Sequence, residues 1–207
     1  MRESIVSLRC LFLALLLVLP GLPARAEERY AFDKQHSAIS FSIEHLGFSQ
    51  VKGTFDEFDG DFVFCIQHPY KDTVNVTLYT SGIHTADKWM DGQVRGPNFF
   101  NAEKFPRMKF VSTAVKQIDK DNAKVTGNLT LLGITKPLTF DVQFTKKEYD
   151  PKNGDYVVNF IANGVMKRSD FGMNYLIPFL GDEVSMHIQV KGVEEKEEKE
   201  EKEEKGK

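Results

Sequence analysis

The sequence predicts an all-β domain built from antiparallel strands, and two observations support this fold class. Apolar and polar residues alternate with a period of two in several stretches, as expected of strands with one buried and one solvated face. Turn-forming motifs rich in Asp, Asn, Gly and Pro separate these stretches. Eight or more strands at this spacing, with little helical periodicity, predict a sandwich or a closed barrel.

The alternation is clearest near the start of the domain, where Ile39, Phe41 and Ile43 share one face and serines lie between them. Four later stretches repeat the pattern, with apolar residues at 74, 76 and 78, at 125, 129 and 131, at 140, 142 and 144, and at 184, 186, 188 and 190. The turns between strands are predicted at residues 59–61, 119–122, 150–155 and 181–182.

One segment, residues 85–106, has no alternation. Within it, Gly96-Pro97-Asn98-Phe99 is typical of a helical turn that begins at proline. We therefore predict a short helical insert near residues 86–104 that covers one end of the fold.

The two ends of the chain have compositions of their own. Residues 1–26 combine a basic start, an apolar run over 11–19 and the small-residue pattern Ala24-Arg25-Ala26, which is typical of a secretory signal. The run is shorter than the about 20 apolar residues that span a bilayer, and no later segment is as apolar. We expect cleavage near Ala26, a periplasmic or secreted protein, and no transmembrane segment in the mature chain. Residues 194–207 repeat Glu-Glu-Lys and predict a solvated charged tail.

The domain between these ends, residues 27–193, is long enough for one sizeable core. The whole chain has a net charge of −3, without the basic face that nucleic-acid binding needs. Cys65 is the single cysteine after cleavage, so no internal disulfide is expected. Because Cys65 follows the apolar run Phe62-Val63-Phe64, we interpret it as a small core residue rather than a reactive thiol.

Several sequence blocks resemble the YceI-like family. They include His36-Ser37 before the first alternating strand, Asn98-Phe99-Phe100-Asn101, and Arg168-Ser169-Asp170-Phe171-Gly172-Met173. Together the blocks occur in order at residues 32–47, 51–60, 98–106, 126–137, 168–173 and 181–184. The resemblance implies a lipocalin-like antiparallel β-barrel of about eight strands that binds polyisoprenoids or other long-chain amphiphiles, and it favours an interior cavity over a solid core.

A barrel of about eight strands can hold one small ligand in its interior. Alternation predicts that the wall of the cavity is formed by Phe41, Ile43, Phe110, Phe140, Val142, Phe160 and Met186, with His45 at its edge. Three aromatic residues in non-strand blocks, Phe99, Phe100 and Phe171, are expected at the lid or mouth. Each of these side chains could equally pack in a solid core. Arg95 and Arg168 are candidates for contact with a phosphate or other polar head group, and pairing or turn capping is the alternative for Arg168.

The sequence therefore predicts an exported lipid carrier without a cofactor, and it leaves the formation of a homodimer open. Two alternatives remain. A structural or stress-related interaction protein would have a solid barrel. An enzyme acting on a bound lipid is poorly supported, because no catalytic fingerprint and no short-spaced metal ligands occur in the sequence.

Overall fold

The computed structural model describes residues 28–196, which form eleven β-strands, one α-helix and three short 3₁₀ turns. The strands are β1 (Arg29–Phe32), β2 (Ala38–His45), β3 (Ser49–Phe55), β4 (Phe58–Val63), β5 (Thr73–Tyr79), β6 (Ile83–His84), β7 (Arg107–Gln117), β8 (Asn122–Leu131), β9 (Ile134–Asp150), β10 (Asp155–Lys167) and β11 (Leu180–Glu194), and the helix α1 is Lys88–Arg95.

All strand pairs are antiparallel and together they close a barrel. Six short strands share three positions of the barrel, two strands end to end in each. At the first position, β1 and β2 both pair with β11; at the second, β4 pairs with β1 and β3 pairs with β2. At the third, β5 pairs with β4 and β6 pairs with β3. The longer strands β7 to β11 fill the other five positions in chain order. The pairing of β11 with both β1 and β2 closes the sheet into an eight-position barrel, which confirms the predicted fold class.

Local sequence explains two of the tight connections. Between β8 and β9, Leu132 and Gly133 both have positive φ (52° and 77°), as the two central residues of a two-residue hairpin turn require. Between β7 and β8, the Asp119 carboxylate accepts hydrogen bonds from the backbone N–H groups of Asp121 and Asn122, at 2.9 Å each. The sequence analysis predicted the second of these turns, at 119–122, but not the one at Leu132-Gly133. The turns that it predicted at 59–61 and 181–182 are wrong, because these residues lie within β4 and β11.

The interior of the barrel is filled from the faces that alternation predicts. Ile39, Ile43, Val125, Phe140 and Val184 are all buried, and they come from four of the alternating stretches. A second, smaller group of buried residues consists of Tyr30, Phe62 and Val158, at the strand ends near the described termini.

The helical insert begins earlier than its most recognisable motif. Helix α1 starts after Asp87, whose carboxylate accepts a hydrogen bond from the Met90 N–H at 2.8 Å, and it ends at Arg95. The residues after Pro97 form hydrogen-bonded turns rather than a helix. The prediction of a short helix within 86–104 is confirmed. Its assignment to the Pro97 motif is wrong, because the capping residue Asp87 starts the helix at Lys88, nine residues before that proline.

The insert covers one end of the barrel, which we call the closed end. Phe100 is buried there, with its ring edge-to-face on Phe55 at 5.7 Å. The β10–β11 connection (168–179) lies at the same end, where the Tyr175 ring meets Phe99 at 5.6 Å. The opposite end carries the β4–β5 connection (64–72), the β7–β8 turn (118–121) and the β9–β10 turn (151–154).

The signal sequence and cleavage site predicted in residues 1–26, and the tail from residue 197, lie outside the described residues. The predicted tail boundary is close to the end of β11: Glu194 still pairs with Tyr30, and the Lys196 ammonium lies 2.7 Å from the Asp155 carboxylate. Cys65 is half-buried and forms no disulfide. In the described part of the chain, no helix is long and apolar enough to cross a membrane.

Candidate functional site

An apolar cavity of about 220 Å³ lies inside the barrel, in the half away from the closed end. It extends from Leu78 and Leu129 in the middle of the barrel to Ile66 and Pro69 in the β4–β5 connection and to the β7–β8 turn. We call the gap between these two segments the mouth. Ile66 is 59% exposed at the mouth although it also lines the cavity, so the apolar wall continues outward to solvent.

Aromatic rings form much of the wall. Phe64 packs against Phe160 with ring centroids 4.9 Å apart, and both contact Phe144. Deeper in the cavity, Phe110 and Phe140 meet edge-to-face at 5.2 Å. Such rings offer a broad apolar surface with few polar atoms, which suits an apolar chain better than a polar molecule.

Six of the seven residues predicted for the wall line the cavity: Phe41, Phe110, Phe140, Val142, Phe160 and Met186. Ile43, the seventh, is buried in the core but does not line the cavity, because it lies two residues nearer the closed end than Phe41 on β2. Alternation identifies the face of a strand that points inward, but not how deep in the barrel each residue lies.

Other cavity residues were not predicted, including Phe32, Phe58, Phe62, Phe64 and Phe144. Phe144 belongs to the same alternating row as Phe140 and Val142, and Phe62 with Phe64 forms a short row of its own. The period-two signal was therefore present for these residues, and extending each row toward the strand end near the mouth would have found them.

Small residues on the inner face have two different roles. Ala162 lines the cavity and leaves room in it. At Gly164, by contrast, a Cβ atom would lie 2.7 Å from the Phe140 ring, so Phe140 already occupies the space that this glycine leaves open.

The three aromatic residues expected at the lid or mouth lie at the closed end, where they help to cover the barrel, and not at the mouth. Phe100 and Phe171 are buried in the main core, and Phe99 packs against that core from the insert. None of them lines the cavity. They close the barrel opposite the mouth. His45, expected at the cavity edge, ends β2 at the same closed end, where its Nδ1 lies 3.4 Å from the Ser49 hydroxyl.

Arg168 is the most buried charged residue described, with 1% of its surface exposed. Its guanidinium donates to the backbone carbonyls of Gly181, Met173, Tyr175 and Leu180, at 2.7–2.9 Å. These bonds fix the β10–β11 connection at the closed end, far along the barrel from the mouth. Asp182 accepts hydrogen bonds from the backbone N–H and the hydroxyl of Ser169, which follows Arg168.

Arg95 is engaged at the closed end as well. Its Nε and Nη2 atoms donate to the Ile83 carbonyl at 3.1 and 2.6 Å, and Asp91 lies 3.8 Å from Nη2. Hydrogen bonds from Thr85 and His84 hold the pKa of Asp91 below its usual range. Arg95 and Arg168, the two head-group candidates, thus stabilise the closed end and do not line the cavity.

The polar groups of the mouth come from other residues. Asp72, Asp119, Lys120 and Asp121 all line the cavity where it opens. Asp72 is half-buried, and its Oδ1 accepts a hydrogen bond from the Cys65 N–H at 2.8 Å. Burial raises the pKa of the Asp72 carboxyl to about 7, and the Cys65 bond opposes this rise. Within residues 28–196, no group of three His, Cys, Asp or Glu side chains could hold a metal ion.

Comparison with known proteins identifies the fold family. The sequence model of a protein family, the YceI-like domain, matches residues 30–192. The chain belongs to the YceI-like family. It is 39% identical over 184 residues to the protein named YceI of Salmonella arizonae, and the alignment covers 89% of this chain and 95% of that protein.

Solved structures share this YceI-like barrel. The Campylobacter jejuni YceI protein superposes with a TM-score of 0.67 at 29% identity, over 74% of this chain and 90% of that one. BcnA of Burkholderia cenocepacia superposes with a TM-score of 0.71 at 22% identity, over 77% of this chain and 98% of that one. A domain of Saccharophagus degradans described as polyisoprenoid-binding has the same fold, with a TM-score of 0.60 at 12% identity over 80% of this chain and 98% of that domain.

Proposed function

We propose that the protein is an exported carrier that holds the apolar tail of an amphiphile, of the polyisoprenoid type, inside the barrel, without cofactor or catalysis. The observation that carries this proposal is the apolar cavity, which is lined by aromatic rings and continues to solvent at the mouth. Membership of the YceI-like family supports it, as does the name of the Saccharophagus domain with the same fold.

The energetics favour an apolar chain. Each buried methylene contributes about 0.8 kcal/mol before costs, so one isoprene unit contributes roughly 3–4 kcal/mol. A few units are enough for tight binding after the costs of association and ordering are subtracted. The cavity volume of about 220 Å³ limits how much of a ligand can lie inside the barrel.

The mouth is also suited to exchange with a membrane. Ile66, Tyr70 and Ile118 are 59%, 72% and 55% exposed on the two segments that form it. Apolar side chains around an opening allow a lipid tail to pass from a bilayer into the barrel with little contact with water. Export, as the predicted signal sequence indicates, would bring the carrier to such a membrane surface.

Filling the cavity tests the proposal against a solid barrel. In Ala162→Phe the new ring would occupy the cavity, and Val165→Phe, at an exposed position on the same strand, is the matched control. If the interior is hollow, Ala162→Phe changes the free energy of unfolding by less than about 1 kcal/mol and abolishes displacement of a fluorescent lipid probe by farnesol, whereas overpacking a filled core costs about 1–3 kcal/mol.

The control should bind farnesol as the wild type does. Farnesol binding that is equal in the wild type and in Ala162→Phe would contradict a ligand inside the barrel. A large loss of stability together with no binding in the wild type would support the solid interaction protein instead.

A further inference from the structure

The polar end of a bound amphiphile must lie at the mouth, since the rest of the cavity wall is apolar apart from serines. If the proposed function holds, the side chains at the mouth select the head group. Of the charged residues that line the cavity in residues 28–196, three are aspartates and one is Lys120. No arginine or histidine is among them.

Two of the three aspartates are engaged by neighbouring groups. Asp119 accepts hydrogen bonds from the Asp121 N–H and from both the backbone and side-chain amides of Asn122, which keep its pKa below the usual range. Asp121 lies 3.4 Å from the Lys120 ammonium. Among the charged residues that line the cavity, three aspartates thus outnumber Lys120, so the cavity lining has an excess of negative charge at its opening.

Asp72 has one carboxylate oxygen without a hydrogen-bond partner among the described residues. Its Oδ1 accepts from the Cys65 N–H. Its Oδ2 accepts no hydrogen bond from a described residue and is not among the fully buried atoms, so it is open to solvent or to a ligand at the mouth. Asp72 is half-buried, and the apolar residues Pro69 and Val74 line the cavity with it. A donor that enters with the ligand can replace water on such an acceptor, and this replacement preserves the hydrogen bond as the mouth is covered.

The two arginines that could have bound a phosphate cannot reach this point. Both lie at the closed end and donate to backbone carbonyls there. A phosphate at the mouth would thus meet carboxylates without a guanidinium to neutralise it, which is unfavourable in a partly desolvated site.

We propose that Asp72 binds the polar end of the amphiphile, and that this end is a hydrogen-bond donor, a hydroxyl or an amine, rather than a phosphate. This inference rests on the proposed function and assigns it a ligand class. The Oδ2 atom accepts a hydrogen bond from the head group, while Oδ1 continues to accept one from the Cys65 N–H. The negative mouth repels phosphorylated chains of the same length.

Three probes with the same fifteen-carbon chain test the assignment: farnesol, farnesylamine and farnesyl diphosphate. Affinities are measured by displacement of one fluorescent lipid probe at about pH 8, where Asp72 is mostly ionised. We expect farnesol and farnesylamine each to bind at least about tenfold more tightly than farnesyl diphosphate, because repulsion at the mouth penalises only the last. Tighter binding of farnesylamine than of farnesol assigns an amine as the preferred head group, and the reverse assigns a hydroxyl.

The variant Asp72→Asn keeps an amide oxygen for the Cys65 N–H, so the connection should fold as before. It should lower the preference for farnesol over farnesyl diphosphate by about fivefold or more, mainly through tighter diphosphate binding. Asp59→Asn removes an exposed carboxylate that does not line the cavity and should leave the preference unchanged.

Diphosphate binding as tight as that of farnesol in the wild type overturns the inference, and so does a preference that Asp72→Asn does not change. In both cases the carrier function stands, because a chain has bound. If none of the three probes binds, the carrier function and the inference fail together.

Discussion

The Phe140 ring fills the space above Gly164 on the neighbouring strand, where a Cβ atom would lie 2.7 Å from Cδ1 of the ring. This contact fixes the direction of a ring that also lines the cavity and packs edge-to-face on Phe110. The inner surface of the barrel therefore depends on a glycine that does not itself line the cavity.

Gly164→Ala should displace the Phe140 ring toward the cavity. We expect a loss of about 1–3 kcal/mol in the free energy of unfolding, as overpacking typically costs, together with weaker farnesol binding. Gly92→Ala is the control, because a Cβ atom there meets nothing within 4 Å and the helix gains up to about 1 kcal/mol. Denaturant unfolding of both variants measures the difference, and equal effects would refute the contact.

Arg168→Ala should destabilise the protein strongly, because it leaves four backbone carbonyls at the closed end without their donor. We expect a loss of at least about 3 kcal/mol, against about 1 kcal/mol for the more exposed Arg95→Ala. Thermal and denaturant unfolding provide the measurement. An Arg168→Ala variant of wild-type stability that has lost only ligand affinity would instead support a head-group role.

Asp72 predicts a specific dependence of stability on pH. Its pKa is about 7 in the folded protein against 3.8 for the unperturbed group, so the folded state binds its proton more tightly. The contribution of Asp72 to stability is therefore complete below about pH 4 and is lost as the pH rises toward about 7. Carboxylates with lowered pKa values, such as Asp33 and Asp182, act in the opposite direction at low pH.

The difference in unfolding free energy between the wild type and Asp72→Asn isolates this group from the others. The wild type should lose stability relative to Asp72→Asn as the pH rises from about 4 to about 7, and the difference should then level off. A difference that is constant over this range would show that the carboxyl is not desolvated at the mouth.

A carrier should return its ligand unchanged. After incubation with a polyisoprenoid, extraction should recover the intact lipid, and His45→Ala should bind it about as well as the wild type because His45 lies at the closed end and does not line the cavity. Mass spectrometry of the extracted lipid shows whether its mass has changed. Turnover by the wild type that disappears in His45→Ala would identify an enzyme.

The sequence predicts the barrel well because alternation is a local property. Ile39, Phe41 and Ile43 face inward as the pattern requires, and the turn predicted at 119–122 connects β7 to β8. Which end of the barrel is open is determined by tertiary structure, because it depends on how the 85–106 insert and the 168–179 connection pack. The sequence therefore identifies Phe99, Phe100 and Phe171 as residues of a lid or mouth, but not that they cover the end opposite the opening.

Arg168 illustrates the same difference for charges. The sequence shows a guanidinium in a family motif, but the carbonyls that it binds belong to a connection whose path alternation does not predict. Asp72 was not predicted because it has no motif around it. Its position next to the cavity follows from the meeting of the β4–β5 connection with the β7–β8 turn.

The most direct test of the carrier is to examine what the barrel contains. Protein purified without detergent from cells that produce it is analysed by native mass spectrometry, followed by solvent extraction, with Ala162→Phe prepared in parallel. We predict that the wild type carries a noncovalent amphiphile with a long apolar tail and that Ala162→Phe carries none. A wild-type protein whose native mass equals that of its polypeptide, and which also fails to take up added farnesol, would contradict the account.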